Sequence, residues 1–195
     1  MEALQWNETL ATGIPVIDEQ HKQIVVMVNQ LRDAIEAGDA EAAGQIIPKM
    51  VDYTVFHFTF EEELMEMANY SFLPVHRHVH QLFTRRIPEF QKRYAAGEDV
   101  LVELHNMLVR WLANHIQNED RDYAPAIRDY LKERQNAAKA AEASAAGAAA
   151  ILNAAPGGAA AAPAAAVPAA QGQESATQTF RKRGLWQRIK AFFAD

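Results

Sequence analysis

Three histidines alternate with other residues in the stretch PVHRHVHQLF, residues 74–83, and the apolar residues that follow decide how they are arranged. A β-strand would place His76, His78 and His80 on one face, whereas a helix would place only His76 and His80 together. Apolar residues follow at intervals of three and four, which is helical spacing: Phe83, Ile87, Phe90 and Tyr94. The sequence therefore predicts a helix to about residue 94, with His76 and His80 facing the core and His78 facing away.

Three further segments have the same helical periodicity. They run over about 19–35, 41–68 and 100–118, and Gly38 and Gly97 lie near the breaks between segments. Asp18 is placed to cap the first segment, and Pro48 and Pro88 are expected to kink the second and third segments. Amphipathic helices with short connections favour antiparallel neighbours, so the predicted fold is an all-α four-helix bundle.

Histidines occupy the apolar stripe of every predicted helix. Five of the seven histidines face one interior: His21, His57, His76, His80 and His115. Glu61 follows His57 by four residues and shares its face, whereas Asp120 lies about 140° round an ideal helix from His115. Asp120 can therefore join the others only if its helix ends or is distorted there. A buried carboxylate and paired buried imidazoles are costly without a cation, so these seven residues predict a metal site.

The remaining histidines, two neighbouring glutamates and four methionines are not predicted to bind metal. His78 and His105 are expected on the surface or partly packed, and Glu62 and Glu63 are expected to be solvated. Four methionines are expected to fill the core: Met27, Met50, Met65 and Met107.

Composition limits the metal to nitrogen and oxygen ligands, because the chain has no cysteine. Such ligands allow iron, manganese, zinc or copper. Five imidazoles and two carboxylates exceed what one ion normally accepts, so a two-metal centre is predicted, and its richness in histidine favours iron.

The formal charge of −6 argues against nucleic acid as a partner. No signal peptide or run of about 20 apolar residues is present, and the protein is expected to be cytoplasmic.

The composition changes near residue 135. Residues 1–134 hold the predicted bundle, and residues 135–178 are an Ala/Pro/Gly-rich linker whose first alanines could continue as helix but which is expected to be disordered. Residues 179–195 are basic and aromatic, and a short amphipathic helix is predicted over 184–195. Its docking residues would be Leu185, Trp186, Arg188, Ile189, Phe192 and Phe193. This helix is too short to span a bilayer, and it could dock on an anionic membrane surface, on a protein partner or on its own acidic bundle.

The spacing of the candidate ligands resembles the signature of the hemerythrin family. His57-x3-Glu61 and His76-x3-His80 are followed by His115-x4-Asp120, and the stretches WNETLATGIPVIDEQHKQI, HFTFEEELM and RWLANHIQNED are similar to the bacterial members. The similarity covers about residues 4–130. It implies an up-down-up-down bundle that binds dioxygen reversibly at a non-haem di-iron centre.

The resemblance also implies a role for each ligand. His76, His80 and His115 would hold one iron, whereas His21 and His57 would hold the other and leave a position open for dioxygen. Glu61 and Asp120 would bridge the irons together with an oxo or hydroxo group. Ile24, Trp111, Leu112 and Ile116 are similar to the apolar residues that line the family's oxygen pocket.

Two classes of function remain open at this point. The first is a binding protein that stores, delivers or senses dioxygen, and the second is a di-iron enzyme that acts on peroxide or nitric oxide. Cleavage of peroxide would require a proton donor beside the open position, and the sequence identifies none. A binding protein without catalytic residues is therefore expected.

Overall fold

The computed structural model describes residues 1–154, with side chains through residue 150, and every regular element in that range is helical. A 3₁₀ turn at Glu8–Leu10 precedes five α-helices and one π-helix. The helices are α1 (Pro15–Glu36), α2 (Ala40–Met67), α3 (Leu73–Ala95), α4 (Leu101–His115), the π-helix (Ile116–Asp120) and α5 (Arg121–Ala154). The predicted four-helix bundle is confirmed by α1 to α4, whose bounds lie within a few residues of the predicted segments except at the end of α4.

The ends of the helices follow from local chemistry. Gly38 and Gly97 adopt φ values of +66° and +85° just after α1 and α3, where the left-handed conformation ends a helix. Asp39 caps α2, because its side chain accepts a hydrogen bond from the backbone N–H of Ala42. The prediction for Asp18 is wrong in detail: α1 begins at Pro15, and Asp18 instead accepts hydrogen bonds from the backbone N–H groups of Thr12 and Gly13 in the preceding loop.

The core lies in the unit Met1–Tyr130, where α1 packs on α2 and α4, and α2 packs on α3. Residues at helical spacing line the packed faces, for example Ile24, Val28 and Leu31 of α1, each at most 4% exposed. Met50 and Met65 are buried, and Met27 and Met107 pack partly buried against the same core. His78 is exposed, as predicted.

The prediction for His105 is wrong, because only 2% of this residue is exposed. His105 comes four residues after Leu101 and three before Leu108, so it lies on the same apolar face of α4. Neither ring nitrogen has a hydrogen-bond partner, and burial lowers the pKa of the ring below its usual value. His105 is therefore a neutral core histidine.

The helical run after α4 is longer than the sequence pattern indicated. The π-helix and α5 follow α4 without a break, and Tyr123, Ala124 and Ile127 of α5 are buried. α5 reaches Ala154, so residues 135–154 of the predicted linker are helical, which suits a stretch rich in alanine, the strongest helix former. The predicted linker beyond Ala154 and the predicted docking helix at 184–195 lie outside the described residues. Within the described part of the chain, the helices lack the long apolar stretch that crossing a membrane requires.

Candidate metal centre

Seven side chains from all four helices of the bundle and the π-helix meet in one buried layer. We call them the histidine–carboxylate cluster: His21, His57, Glu61, His76, His80, His115 and Asp120. None is more than 5% exposed, and both carboxylates are completely buried. The side chains that the sequence pattern placed in the interior are thus brought together. Their ligating atoms form two groups, Glu61 with His76, His80 and His115, and Glu61 with His21 and His57.

The histidines meet through their Nε2 atoms. Nε2 of His21 lies 3.1 Å from Nε2 of His57, and Nε2 of His80 lies 3.0 Å from Nε2 of His115. Two nitrogens bound to one metal at right angles, with bonds of about 2.1 Å, are about 3.0 Å apart. Both distances therefore fit pairs of ligands on a common ion.

The two carboxylates lie between these pairs. Oδ1 of Asp120 is 3.1 Å from Nε2 of His115, and Oδ2 of Asp120 is 3.3 Å from Nε2 of His21. Oε2 of Glu61 is 3.4 Å from Nε2 of both His57 and His80. Each carboxylate thus faces histidines of both groups. Several of these atoms are buried without a hydrogen-bond partner, including His76 Nε2, Glu61 Oε2 and both oxygens of Asp120. Unpaired buried lone pairs are expected of ligands for a cation.

The π-helix explains how Asp120 reaches the cluster. In an ideal α-helix Asp120 would lie about 140° from His115. Hydrogen bonds of a π-helix join residues five apart, so they place Asp120 one turn beyond His115 on the same face. The helix is therefore distorted at the position where the spacing of these two residues required it.

Polar side chains lie at the outer edges of three histidines and hydrogen-bond two of them. Nδ1 of His57 lies 2.9 Å from Oε1 of Gln20, and Nδ1 of His80 lies 3.0 Å from Oε1 of Glu62. Nδ1 of His115 lies 3.5 Å from Oε2 of Glu119, but these two atoms do not form a hydrogen bond. Acceptors such as Gln20 and Glu62 fix the ring so that the opposite nitrogen can bind a metal. The prediction that Glu62 is simply solvated is wrong, because it also accepts a hydrogen bond from Arg77 and its side chain is only 20% exposed.

Sequence reasoning also missed Tyr123 at the start of α5. Tyr123 is completely buried, and its hydroxyl donates a hydrogen bond to Oε1 of Glu61. Its ring lies edge-on to His76, with 5.3 Å between ring centroids. The sequence did contain a signal, because Tyr123 is three residues after Asp120 and four before Ile127, on the inner face of a continued helix.

The charges of the cluster suit metal binding. Burial is the largest influence on His57 and lowers its pKa to about 3, so this ring is neutral. Burial also disfavours charge on His115, but Asp120, Glu119 and Glu61 together outweigh this and raise the pKa of His115 to about 10. Burial and the charge of Glu61 raise the pKa of Asp120. His115 and His21 lower it, and the net result is a pKa of about 2. Burial raises the pKa of Glu61, but His57, His76 and His80 lower it well below its usual value. The two carboxylates are thus anionic, and the proton held beside Asp120 is one that a cation can replace.

A small apolar cavity adjoins His57 and His115. Its volume is about 10 Å³, close to the least that holds one water molecule. Ile24, Trp111 and Leu112 line it, whereas Ile116, which we also predicted, is buried but is not among the lining residues. The ring of Trp111 stacks on His115 at 4.3 Å between centroids.

Comparison with known proteins identifies relatives of this bundle. Residues 12–127 match the family described as the Hemerythrin HHE cation binding domain. A bacteriohemerythrin of Pseudomonas aeruginosa is 49% identical over 133 residues, which are 68% of this chain and 87% of that protein. One from Methylococcus capsulatus is 32% identical over 129 residues, 65% of this chain and 98% of that protein. A solved wild-type hemerythrin superposes with a TM-score of 0.61 at 30% identity, over 65% of this chain and 98% of that one.

Proposed function

Since this chain belongs to the hemerythrin family, whose members bind dioxygen at a non-haem di-iron centre, we propose that the histidine–carboxylate cluster provides the ligands of that centre. The observation that carries the proposal is the convergence of five Nε2 atoms on two buried carboxylates. Its division into two groups that share Glu61 supports two ions rather than one.

The proposed ligands follow the two groups. His76, His80 and His115 would hold one iron, and His21 and His57 would hold the other, leaving a position open. The irons would be bridged by Glu61, Asp120 and an oxo or hydroxo group. Asp120 supports this role because its two oxygens face His115 and His21, which belong to different groups.

The surrounding residues prepare the site for reversible binding. A di-iron pair held there would supply the electrons that hold dioxygen and would take them back on release. Gln20 and Glu62 orient His57 and His80 by holding the outer ring nitrogens. Ile24, Trp111 and Leu112 keep the adjoining cavity apolar and nearly too small for water. Exclusion of water and protons favours release of dioxygen over loss of reduced oxygen from the site.

We favour a role in storage, delivery or sensing of dioxygen over catalysis on peroxide or nitric oxide. Tyr123 is a hydroxyl donor at the cluster, but its proton is engaged by Glu61. Burial raises the pKa of Tyr123 well above its usual value, so it is a poor acid at neutral pH. Rapid proton delivery to reduced oxygen is therefore not supported by this residue.

The test combines iron content with visible absorption. Purified full-length protein from iron-replete cells is expected to contain two irons per chain. After anaerobic reduction it should develop a visible band on exposure to air, lose the band on deoxygenation and regain it over several cycles. His76→Ala should lose iron and the band, while His78→Ala, an exposed histidine of the same helix, should retain both. Zinc in place of iron, or irreversible oxidation with turnover of peroxide, would contradict the proposal.

We propose that the basic C-terminal segment docks the protein on a partner protein or an anionic membrane surface. We also propose that the protein acts in the cytoplasm. Support comes from the sequence pattern of Leu185, Trp186, Ile189, Phe192 and Phe193 opposite basic residues such as Arg188. Residues 179–195 fused to a fluorescent protein should form discrete foci with a protein partner or a membrane rim with lipid. Diffuse fluorescence of both the fusion and the full-length protein would contradict docking.

A further inference from the structure

Three apolar cavities with shared lining residues extend along the interior of the bundle, from one between α2, α3 and the start of α4 to one beside the histidine–carboxylate cluster. We propose that they form the route by which dioxygen reaches the centre. The outermost cavity is a docking site for the gas, and Met50 is the gate between that cavity and the cluster. The route deepens the proposed function and rests on it, whereas the docking site can be tested without iron.

The outer cavity is suited to a small apolar molecule. Its volume is about 110 Å³, and its walls are mainly apolar. Ile87 and Phe90 form part of its buried wall, whereas Gly44, Pro48 and Gln91 line it on the exposed side. An apolar cavity of about 150 Å³ in another protein stays dry and takes up benzene or xenon. A cavity of about 110 Å³ with mainly apolar walls is therefore large enough for a diatomic gas.

The inner cavities continue this space toward the metal ligands. A middle cavity of about 10 Å³ shares Met50, Val51 and Ile87 with the outer one. It shares Met50, Thr54 and three apolar side chains with the cavity beside His57 and His115. Consecutive cavities therefore have common walls, and a gas molecule can pass when those walls move.

Met50 is the side chain that lines all three cavities. It is 1% exposed, and its unbranched thioether side chain can change rotamer more readily than a branched residue. Thr54 is the polar side chain that the two inner cavities share. Its hydroxyl donates to the backbone carbonyl of Met50 at 2.8 Å, so its donor is satisfied within α2. The passage therefore has few free hydrogen-bonding groups for water, and it favours an apolar gas.

Two prolines interrupt the helical hydrogen bonds along this path. Pro48 cannot donate to the carbonyl of Gly44, and Pro88 cannot donate to the carbonyl of Thr84, because proline has no N–H and lies four residues further on. Gly44 lines the outer cavity, and Thr84 lines the middle one. Both helices thus lack a regular hydrogen bond beside the route, and Gly44 adds no side chain to fill it.

Xenon tests the docking site independently of iron. We expect xenon dissolved under pressure to shift the side-chain methyl NMR signals of Ile47, Ile87 and Val51 in the full-length protein. The Gly44→Leu variant should abolish these shifts by filling the cavity. Gly44 lines the cavity and a Cβ there meets no atom within 4 Å, so a side chain can be added at this wall without a clash. Absence of xenon shifts in the unmodified protein would overturn the docking site, whether or not its iron centre binds oxygen.

The kinetics of oxygen binding test the route. Gly44→Leu should slow association and dissociation of dioxygen by the same several-fold factor and leave the equilibrium affinity unchanged, because a blocked passage affects both directions equally. Gly147→Leu in α5 is the matched control, since a Cβ there also meets no atom within 4 Å, and it should leave both rates unchanged.

Met50→Ala tests the gate in the opposite direction. Shortening this side chain joins the outer cavity to the inner ones, so both rates should rise together while the affinity stays the same.

Unchanged rates in Gly44→Leu, in protein that binds oxygen reversibly, would overturn the route even if xenon binds. A change in affinity without a parallel change in both rates would place the effect at the irons and would equally count against a gate. Protein that never forms the reversible band contradicts the proposed function instead.

Discussion

Removing the hydroxyl of Tyr123 tests whether this buried tyrosine positions Glu61. Tyr123→Phe deletes one oxygen atom and keeps the ring that lies edge-on to His76. The deleted group donates to Oε1 of Glu61, and both residues are fully buried. A hydrogen bond to a charged group contributes about 1.5–3 kcal/mol to the free energy of unfolding. In metal-free protein the variant should therefore melt roughly 5–10 °C lower.

The metal-loaded protein gives a second readout of the same change. If Glu61 binds both irons, the lost hydrogen bond frees its carboxylate to rotate, and metal affinity should fall by roughly 10–100-fold. Competition with a chelator measures this affinity, and calorimetry measures the melting temperature in both states.

Tyr94→Phe is the matched control for loss of a tyrosine hydroxyl. The hydroxyl of partly buried Tyr94 donates to the carbonyl of Ala40 at 3.2 Å in a solvent-exposed hydrogen bond. Its removal should change the free energy of unfolding by less than about 0.5 kcal/mol and leave metal affinity unchanged. If Tyr123→Phe matches this control in both melting temperature and chelator competition, Tyr123 does not hold Glu61 in place.

Three further predictions concern the core, the cavity and the domain boundary. Burial lowers the pKa of His105, so the unfolded chain gains a proton first as pH falls below about 6.5. Wild-type stability should then fall relative to His105→Leu by up to about 1.4 kcal/mol per pH unit until the folded ring protonates, as urea unfolding at each pH would measure. Leu112→Ala should speed autoxidation of the oxygenated protein by admitting water, and slower loss of the visible band would contradict the role of this lining. A chain ending at Arg134 should keep two irons and its melting temperature, and loss of either would show that residues 135–195 support the bundle.

The fold was predictable because the apolar residues of α1 to α4 recur at helical spacing and the histidines share their stripes. Phase on a helix determines which side of it is buried, so the inward direction of His21, His57, His76, His80 and His115 follows from periodicity alone. All five are buried in the structure.

The parts that sequence reasoning missed depend on contacts between helices. Glu62 is next to Glu61 and looks solvated by its phase, but it reaches Nδ1 of His80 on α3. The pairing of Gln20 with His57 likewise joins α1 to α2. Such partners are set by how two helices are rotated and shifted against each other, which the period of either helix alone does not determine. His105 is a different case, because its phase with Leu101 and Leu108 on α4 does indicate burial.

The π-helix shows why two adjacent carboxylates can serve one histidine. In a regular helix the residue four after His115 is Glu119, and of the two carboxylates only Glu119 would lie one turn beyond the imidazole. The π-helix brings Asp120 onto that face as well. Asp120 then meets Nε2 of His115 at 3.1 Å, while Glu119 lies 3.5 Å from Nδ1. One extra residue per turn therefore lets a single helix supply the carboxylate proposed as a bridge and a second carboxylate that faces the outer nitrogen of the same ring. A regular helix with one residue fewer would have to give up one of these two contacts.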